Sequence, residues 1–308
     1  MIAKRLNVGD TIGIISPSAV LTDKEDLITL TKAVALMEEQ GFKIIKGDYA
    51  FSNELGYGAS AIHKAEDINN MFGNKDVKAI FAITGGENSL STFEYIDYEN
   101  IKNNPKIICG FSDTTSILNE ITDKTGLVTF LGPSFKSIAS GETNYRLKAV
   151  LDRFLNHENN LAYKEDLSEF RVIRRGKAEG KLVGGNLSLT TDLISGKYKI
   201  DFTDKILCLE DLAFESNPGR VSHDLYKMKQ GGIFSQISGI WLGNYDSEIS
   251  IEQILLDTLS DIKFDKPIIK SENFGHGEKK IVIPIGAMAE IDTNDNRPYI
   301  KLKGDFNV

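Results

Sequence analysis

Apolar positions along this chain alternate between two rhythms. Short, nearly unbroken apolar runs recur in "TIGIISPSA", "FKIIKGDY", "VKAIFAITGG" and "PKIICG". Runs of this kind, bounded by glycine, proline or polar residues, read as buried strands. Between them lie longer stretches with helical spacing: "DKEDLITLTKAVALMEEQG", "SAIHKAEDINNMFGN", "SLSTFEYID" and "TTSILNEITDKTG". The first of these ends at Gly41, a C-cap residue. "LVTFLGPSF" closes the set. Strands alternating with helices predict a parallel sheet with helices on its faces.

The rhythm lapses between about residues 140 and 175, where charged and polar residues dominate and "NHENNLAYKEDLSEF" is the least strand-like part. This divides the chain into an N-terminal domain over 1–150, a connector over 151–175 and a C-terminal domain over 176–308. In the second half "KILCLEDLA" and "ISGIWLGNYD" read as strands, and "SHDLYKMKQGG" and "SIEQILLDTLSDI" as helices. "KPIIKSENFGHG" is a strand running into a loop, and "KIVIPIGAMAEIDT" and "PYIKLKG" look like terminal antiparallel strands. The expected fold is therefore two α/β domains. The first is a parallel sheet flanked by helices; the second is mixed and carries antiparallel strands.

One strand-to-helix junction raises a chemical question. In "PKIICGFSDTTSILNEI" an apolar run stops at Gly110, helical spacing follows, and Ser112 sits between. Serine is a preferred N-cap. The same place also suits a nucleophile, because the first N–H groups of a helix are unpaired and can hold an oxyanion. The stretch resembles a nucleophile elbow, but Thr114 stands where the G-x-S-x-G pattern has its second glycine. A nucleophilic serine needs a base, and the chain has four histidines. His63 falls on a helix beside Lys64 and Glu66 and reads as a surface residue. His157 lies in the connector, and His223 opens a charged helix. His276, in "NFGHGEKK", has glycines on both sides and is the best placed for a base. For the group that orients it, "KILCLEDLAFES" ends in Glu210 and Asp211 at the C-terminal end of a strand, where α/β folds bind ligands. Asp211 also suits a cap for the next turn. "TGGENS" offers the N–H of Gly86 as an oxyanion donor, and "VGGNLS" reads as a tight turn before a helix.

Charge and composition narrow the classes. A net charge of −8 argues against a nucleic-acid polymer as partner. Cys109 and Cys208 lie inside apolar runs and read as buried free thiols, with no spacing for a disulfide framework or a zinc site. No signal-peptide pattern and no membrane-length apolar stretch is evident, which reads as a cytoplasmic protein.

Taken in order, "ITGGENS", "ENIKNNPKIICGFSDTTSIL", "TGLVTFLGPSF", "GKAEGKLVGGNLSLTTDLISGKY", "ILCLEDLA", "ISGIWLGNY" and "FGHGEKKIVIPIGAMAEID" resemble the LD-carboxypeptidases. These are serine peptidases that include muramoyltetrapeptide carboxypeptidases and the microcin C immunity peptidases. The resemblance implies a Ser–Glu–His triad split across two domains: Ser112 as nucleophile, Glu210 as orienting carboxylate and His276 as base. It implies the backbone N–H groups of Gly86 and Asp113 as oxyanion donors, a site in the cleft between the domains, and no metal or cofactor.

The first substrate expectation is a murein tetrapeptide losing its terminal D-alanine in cell-wall recycling, with Arg220 as a candidate partner for the substrate carboxylate. The alternative is a microcin-type peptidase that frees an amino acid or peptide from a nucleotide analogue. Relatives of that type tend to carry tryptophan before the "GGN" motif. Here "LAYKEDLSEFRVIRRGKAEG" has none, although Tyr163 and Phe170 lie there, and the single Trp241 sits in an expected strand. "LAFESNPGR" also departs from the "PYR" wording of murein-recycling members. A third reading, from another class, is a two-domain small-ligand binding protein with no chemistry. A homodimer is the default expectation for a soluble enzyme.

Overall fold

The computed structural model describes residues 1–141, 143–156, 161, 170–214 and 217–304. Residues 157–160 and 162–169 of the connector, including His157 and Tyr163, lie outside the described residues. The rest divides into two compact units. The first holds the described residues up to Asn156 together with Val282–Pro284, and the second holds Leu161 to Ile281 and Ile285 to Gly304.

In the first unit the elements are β1 (Thr11–Ile15), α1 (Lys24–Glu39), β2 (Lys43–Lys46), α2 (Ala61–Gly73), β3 (Val77–Ala82), α3 (Tyr98–Asn103), β4 (Ile107–Gly110), α4 (Thr115–Thr125), β5 (Thr129–Leu131) and α5 (Thr143–Phe154). Their starts follow local chemistry. The Asp23 carboxylate accepts from the N–H groups of Glu25 and Asp26 to open α1, and Ser60 caps α2 through the N–H of His63. α1 stops at Gly41, whose φ of 89° only glycine adopts readily. The second unit contains β6 (Arg171–Arg174), β7 (Lys177–Asn186), α6 (Leu187–Thr191), β8 (Ile206–Glu210), α7 (Pro218–Gln230), α8 (Ile233–Gln236), β9 (Gly239–Leu242), α9 (Ile251–Thr258) and β10 (Ile268–Lys270). It is completed by β12 (Met288–Asp292) and β13 (Tyr299–Leu302), while β11 (Ile283–Ile285) joins the first sheet.

The first sheet runs β11-β5-β4-β3-β1-β2, with β2, β1, β3, β4 and β5 paired parallel. Strand order reverses between β1 and β3, so the C-terminal ends of β1, β3 and β4 border the crevice where such sheets bind ligands. The second sheet runs β13-β12-β7-β8-β9-β10-β6. Its centre, β7 to β10, is parallel, whereas β12, β13 and β6 pair antiparallel. This is the expected pair of α/β domains.

Three local readings change. "KIVIPIGAMAEIDT" is two strands rather than one, because Pro284 lacks an N–H and Gly286, at φ 86°, turns the chain between sheets. "SLSTFEYID" forms only a 3-10 turn over Ser89–Thr92, since Asn88 is left-handed and the N–H of Ser89 is spent on Asp113. "VGGN" is not a turn: Gly184 and Gly185 extend β7 in parallel register with β8, which places Asn186 opposite Glu210. A Cβ on Gly184 would collide with the carbonyl of Cys208, so the close approach requires glycine. Among the described residues no helix is long and apolar enough to cross a membrane.

Candidate active site

In the first unit, β4 delivers Ser112 into a 3-10 turn over Ser112–Thr114 that leads into α4. Ser112 has φ 60°. A capping serine sits in the extended region. A serine held left-handed carries strain that must be offset by the surrounding structure. Thr114 occupies the N-cap of α4, and its hydroxyl bonds the Phe111 carbonyl at 2.9 Å rather than capping. Ser112 is half-buried.

The glycine pair after β3 packs against this serine. A Cβ on Gly85 would lie 2.9 Å from the Cβ of Ser112, and one on Gly86, at φ 131°, would collide with Ala19. Asp113 ties the two loops together. Its carboxylate accepts from the N–H of Ser89 at 2.8 Å, and its carbonyl accepts from the Ser89 hydroxyl at 2.8 Å. Burial pushes the Asp113 carboxyl above its ordinary range; the Ser18 and Ser89 side chains, the Ser89 N–H and the charge of Lys64 oppose that rise.

In the second unit Glu210 ends β8, and its side chain is wholly buried. One carboxylate oxygen, Oε2, lies 2.7 Å from Nδ1 of His276, whose side chain is 15% exposed. A carboxylate at this distance from Nδ1 fixes the orientation of the imidazole ring. Three contacts set the imidazole loop. Gly275, at φ 109°, lets the chain pass where a Cβ would stand 3.0 Å from Glu210 Oε2. Lys280, itself buried, donates to the Gly275 carbonyl at 2.6 Å. The Asn244 N–H donates to the carbonyl of Phe274 at 2.8 Å, and the ring of Phe274 packs edge-on against Trp241.

The neighbouring Asp211 takes hydrogen bonds from Asn186 Nδ2 at 3.1 Å, the Ser188 hydroxyl at 2.9 Å and the N–H of Leu212 at 2.7 Å. Burial, then the charge of Glu210, pushes its carboxyl up. Asp211 does cap the following turn, and it also anchors the start of α6.

Other sequence candidates lie elsewhere. Arg220, in the first turn of α7, donates through Nε to the buried Asp224 at 2.8 Å. His63 bonds Glu54 at 2.6 Å and stacks on Tyr49, and His223 is exposed on α7. Phe170 is buried at 7% exposure, whereas Phe214, four residues after Glu210 in sequence, is 94% exposed. The Ser89 bonds to Asp113, the burial of Lys64 and the exposure of Phe214 have no signal in the sequence pattern.

A strained serine after one parallel strand and a buried carboxylate–imidazole pair after another are features of serine-hydrolase-like α/β proteins. The chain belongs to the LD-carboxypeptidase family: the N-terminal domain of that family matches residues 12–132 and its C-terminal domain matches 179–291. The Probable murein peptide carboxypeptidase of Bacillus subtilis (strain 168) is 32% identical over 307 residues, spanning 97% of this chain and 93% of its own. The Microcin C7 self-immunity protein MccF of Escherichia coli is 28% identical, spanning 95% of this chain and 93% of its own. The solved structure of MccF in complex with glutamyl sulfamoyl guanosine matches with a TM-score of 0.85 at 25% identity, over 98% of both chains.

Proposed function

We propose that this chain is a serine hydrolase that cuts the acyl–nitrogen bond joining an amino acid to a nucleotide-like group. The chemistry rests on the His276–Glu210 pair at 2.7 Å, with the carboxylate wholly buried, in a chain that also holds Ser112 at φ 60°. A protein that only binds a ligand has no use for a strained serine or an oriented imidazole.

In the proposed reaction the Ser112 hydroxyl attacks the substrate carbonyl carbon as His276 Nε2 takes its proton. Glu210 holds the imidazole and stabilises the imidazolium. The N–H groups of Gly86 and Asp113 receive the oxyanion. The carbon–nitrogen bond then breaks, His276 returns the proton to the leaving nitrogen, and an acyl ester remains on Ser112. Water, activated by His276, hydrolyses that ester to a carboxylic acid and restores the serine.

The substrate class is supported by the likeness to MccF in complex with glutamyl sulfamoyl guanosine and by Phe214. An aromatic ring this exposed is poised to stack on a base, a contact worth about 1–3 kcal/mol. The second reading is release of D-alanine from a murein tetrapeptide, favoured by the identity to the Bacillus subtilis protein. That reaction needs a cation for a free carboxylate, and the charge of Arg220 is already shared with Asp224.

The test is to incubate the protein separately with glutamyl sulfamoyl guanosine and with a murein tetrapeptide, and to identify products by mass. Cleavage of the nucleoside compound, lost in Ser112→Ala, is expected. Cleavage of the tetrapeptide alone would put the murein reading first, and full turnover by Ser112→Ala would refute the triad.

A further inference from the structure

The first unit has a cavity of about 700 Å³ at the end of its sheet opposite Ser112. Lys75 and Lys78 border it at the start of β3, and Lys106 borders it just before β4. β4 runs from there to Gly110, two residues before Ser112, so the two places lie at opposite ends of one strand. The N-terminal segment adds Lys4 and Arg5 to the wall. That segment is held in place: the Met1 ammonium donates to the Gly126 carbonyl at 2.7 Å, and the N–H of Leu6 donates to the Phe154 carbonyl at 2.9 Å.

The chain has a net charge of −8, yet five of the eleven residues lining this cavity are Lys or Arg. The one acidic residue there, Asp10, already accepts from the N–H of Asn7 at 2.7 Å. Among the described residues no carboxylate pairs with Lys4, Lys75, Lys78 or Lys106. Lys106 is 8% exposed, and its ammonium donates to the Met71 carbonyl at 2.8 Å and to the carbonyl of Asn74. The Lys78 ammonium donates to the Lys75 carbonyl at 2.6 Å. Backbone carbonyls aim these lysines but bring no formal negative charge. Burial, then the charges of Lys78 and Lys75, pushes the Lys106 ammonium down to about 8. Like charges gathered around a concavity repel one another and concentrate a positive field inside it. An anion in the cavity would offset that repulsion.

We propose that this cavity is a second binding site, and that its ligand is a small polyphosphate. Four of the five cations are lysines. Lysine meets phosphate as a compact point charge, whereas a planar carboxylate is better served by the arginine fork. Five cations against one carboxylate leave a surplus of four positive charges in the lining. One phosphate group carries only about −1.5 to −2 at neutral pH, so two or three linked phosphates balance the site. The volume is that of a small-molecule site, which typically spans about 300–1,000 Å³. Ile2, Val77 and Pro105 supply an apolar part of the lining on which an organic body can rest. The proposal stands apart from the hydrolase reading, since none of these residues belongs to the triad or the oxyanion loops.

The experiment is calorimetric titration of the full chain with inorganic tripolyphosphate and, separately, with ATP. Tripolyphosphate has no nucleoside, so its binding does not depend on the nucleotide-like substrate proposed above. It should bind the wild type, and Lys4→Gln/Lys78→Gln should weaken that binding at least tenfold. Both side chains are exposed, so this pair should unfold near the wild-type Tm. Lys24→Gln/Lys32→Gln, on exposed positions of α1 outside the cavity, removes the same charge and should stay within twofold of wild type, as should Ser112→Ala. ATP binding that is tighter than that of tripolyphosphate, and lost in the same cavity pair, identifies an organic ester. Equal binding of the two identifies an inorganic phosphate chain, and both outcomes support the site. Tripolyphosphate that fails to bind the wild type, or that is weakened equally by the two lysine pairs, overturns the proposal. So does a short oligothymidylate that binds more tightly than either triphosphate and depends on Lys4 and Lys78, which would make this face a nucleic-acid surface.

Discussion

Gly275 stands at the point where the imidazole loop passes closest to the buried carboxylate. Alanine there meets two penalties: a left-handed φ of 109° and a Cβ placed 3.0 Å from both Glu210 Oε2 and the Asn244 nitrogen. Gly9 provides the control, with φ 97° and nothing within 4 Å of a Cβ. Gly9→Ala should cost only the backbone term, about 1 kcal/mol. Gly275→Ala should lower Tm further and reduce turnover at least tenfold. Equal effects of the two substitutions on Tm and turnover would show that the His276–Glu210 spacing is not under this steric control. At this scale the sequence spoke through residue type and punctuation. Ser112, Glu210 and His276 stood out because each follows a strand-like run and glycines surround the histidine. Ser89 did not, because its role depends on Asp113, which is distant in sequence. Lys64 even read as part of a surface face beside His63. Periodicity locates the faces of a helix but does not say that the loops at one end of the sheet will cover one of them.

The helices show where local signals suffice. α9 opens with a full capping box, in which Ser250 and Gln253 each bond the other's backbone N–H, and Ser250→Ala should cost about 1 kcal/mol in unfolding. α4 shows where they do not. Its spacing predicted a helix, but the segment is buried from Thr115 through Ile121, Glu120 included. Burial pushes the Glu120 carboxyl up to about 7, with Lys124 at 3.9 Å opposing only in part. A carboxyl raised in the folded state stabilises the fold below its unfolded pKa and loses that contribution as pH climbs through the folded value. Wild-type stability should therefore fall between about pH 5 and 8 through this group, by an amount on the order of 3 kcal/mol. Glu120→Gln should flatten that decline, so that the variant's Tm gains on wild type as pH rises. Parallel Tm-against-pH curves for the two proteins would remove Glu120 from the account. The strands were legible almost throughout, because a sheet buried on both faces leaves unbroken apolar runs. The exceptions were β6, which lies in the stretch read as a connector, the Gly184–Gly185 end of β7, read as a turn, and the Pro284–Gly286 pair that divides one run between two sheets.

For the molecule as a whole, the division into two α/β domains could be read from the lapse in rhythm. The ownership of β11 could not, because an edge strand and a central strand of the same composition look alike in sequence. Val282, Ile283 and Ile285 are each no more than 2% exposed, so this short strand is core as well as edge. Its place has a consequence for how the protein is made. β5 leaves the ribosome about 150 residues before the strand that covers it. Throughout that interval the nascent first domain presents an uncovered sheet margin, the kind of surface that recruits stray strands. A chain ending at Asn156 should therefore self-associate in sedimentation, and joining residues 281–286 to it through a flexible linker should return it to a monomer. If the unlinked fragment sediments as a folded monomer, the late strand is dispensable. Otherwise the order of synthesis runs against the order of the sheet, and a strand made after most of the second domain completes the first.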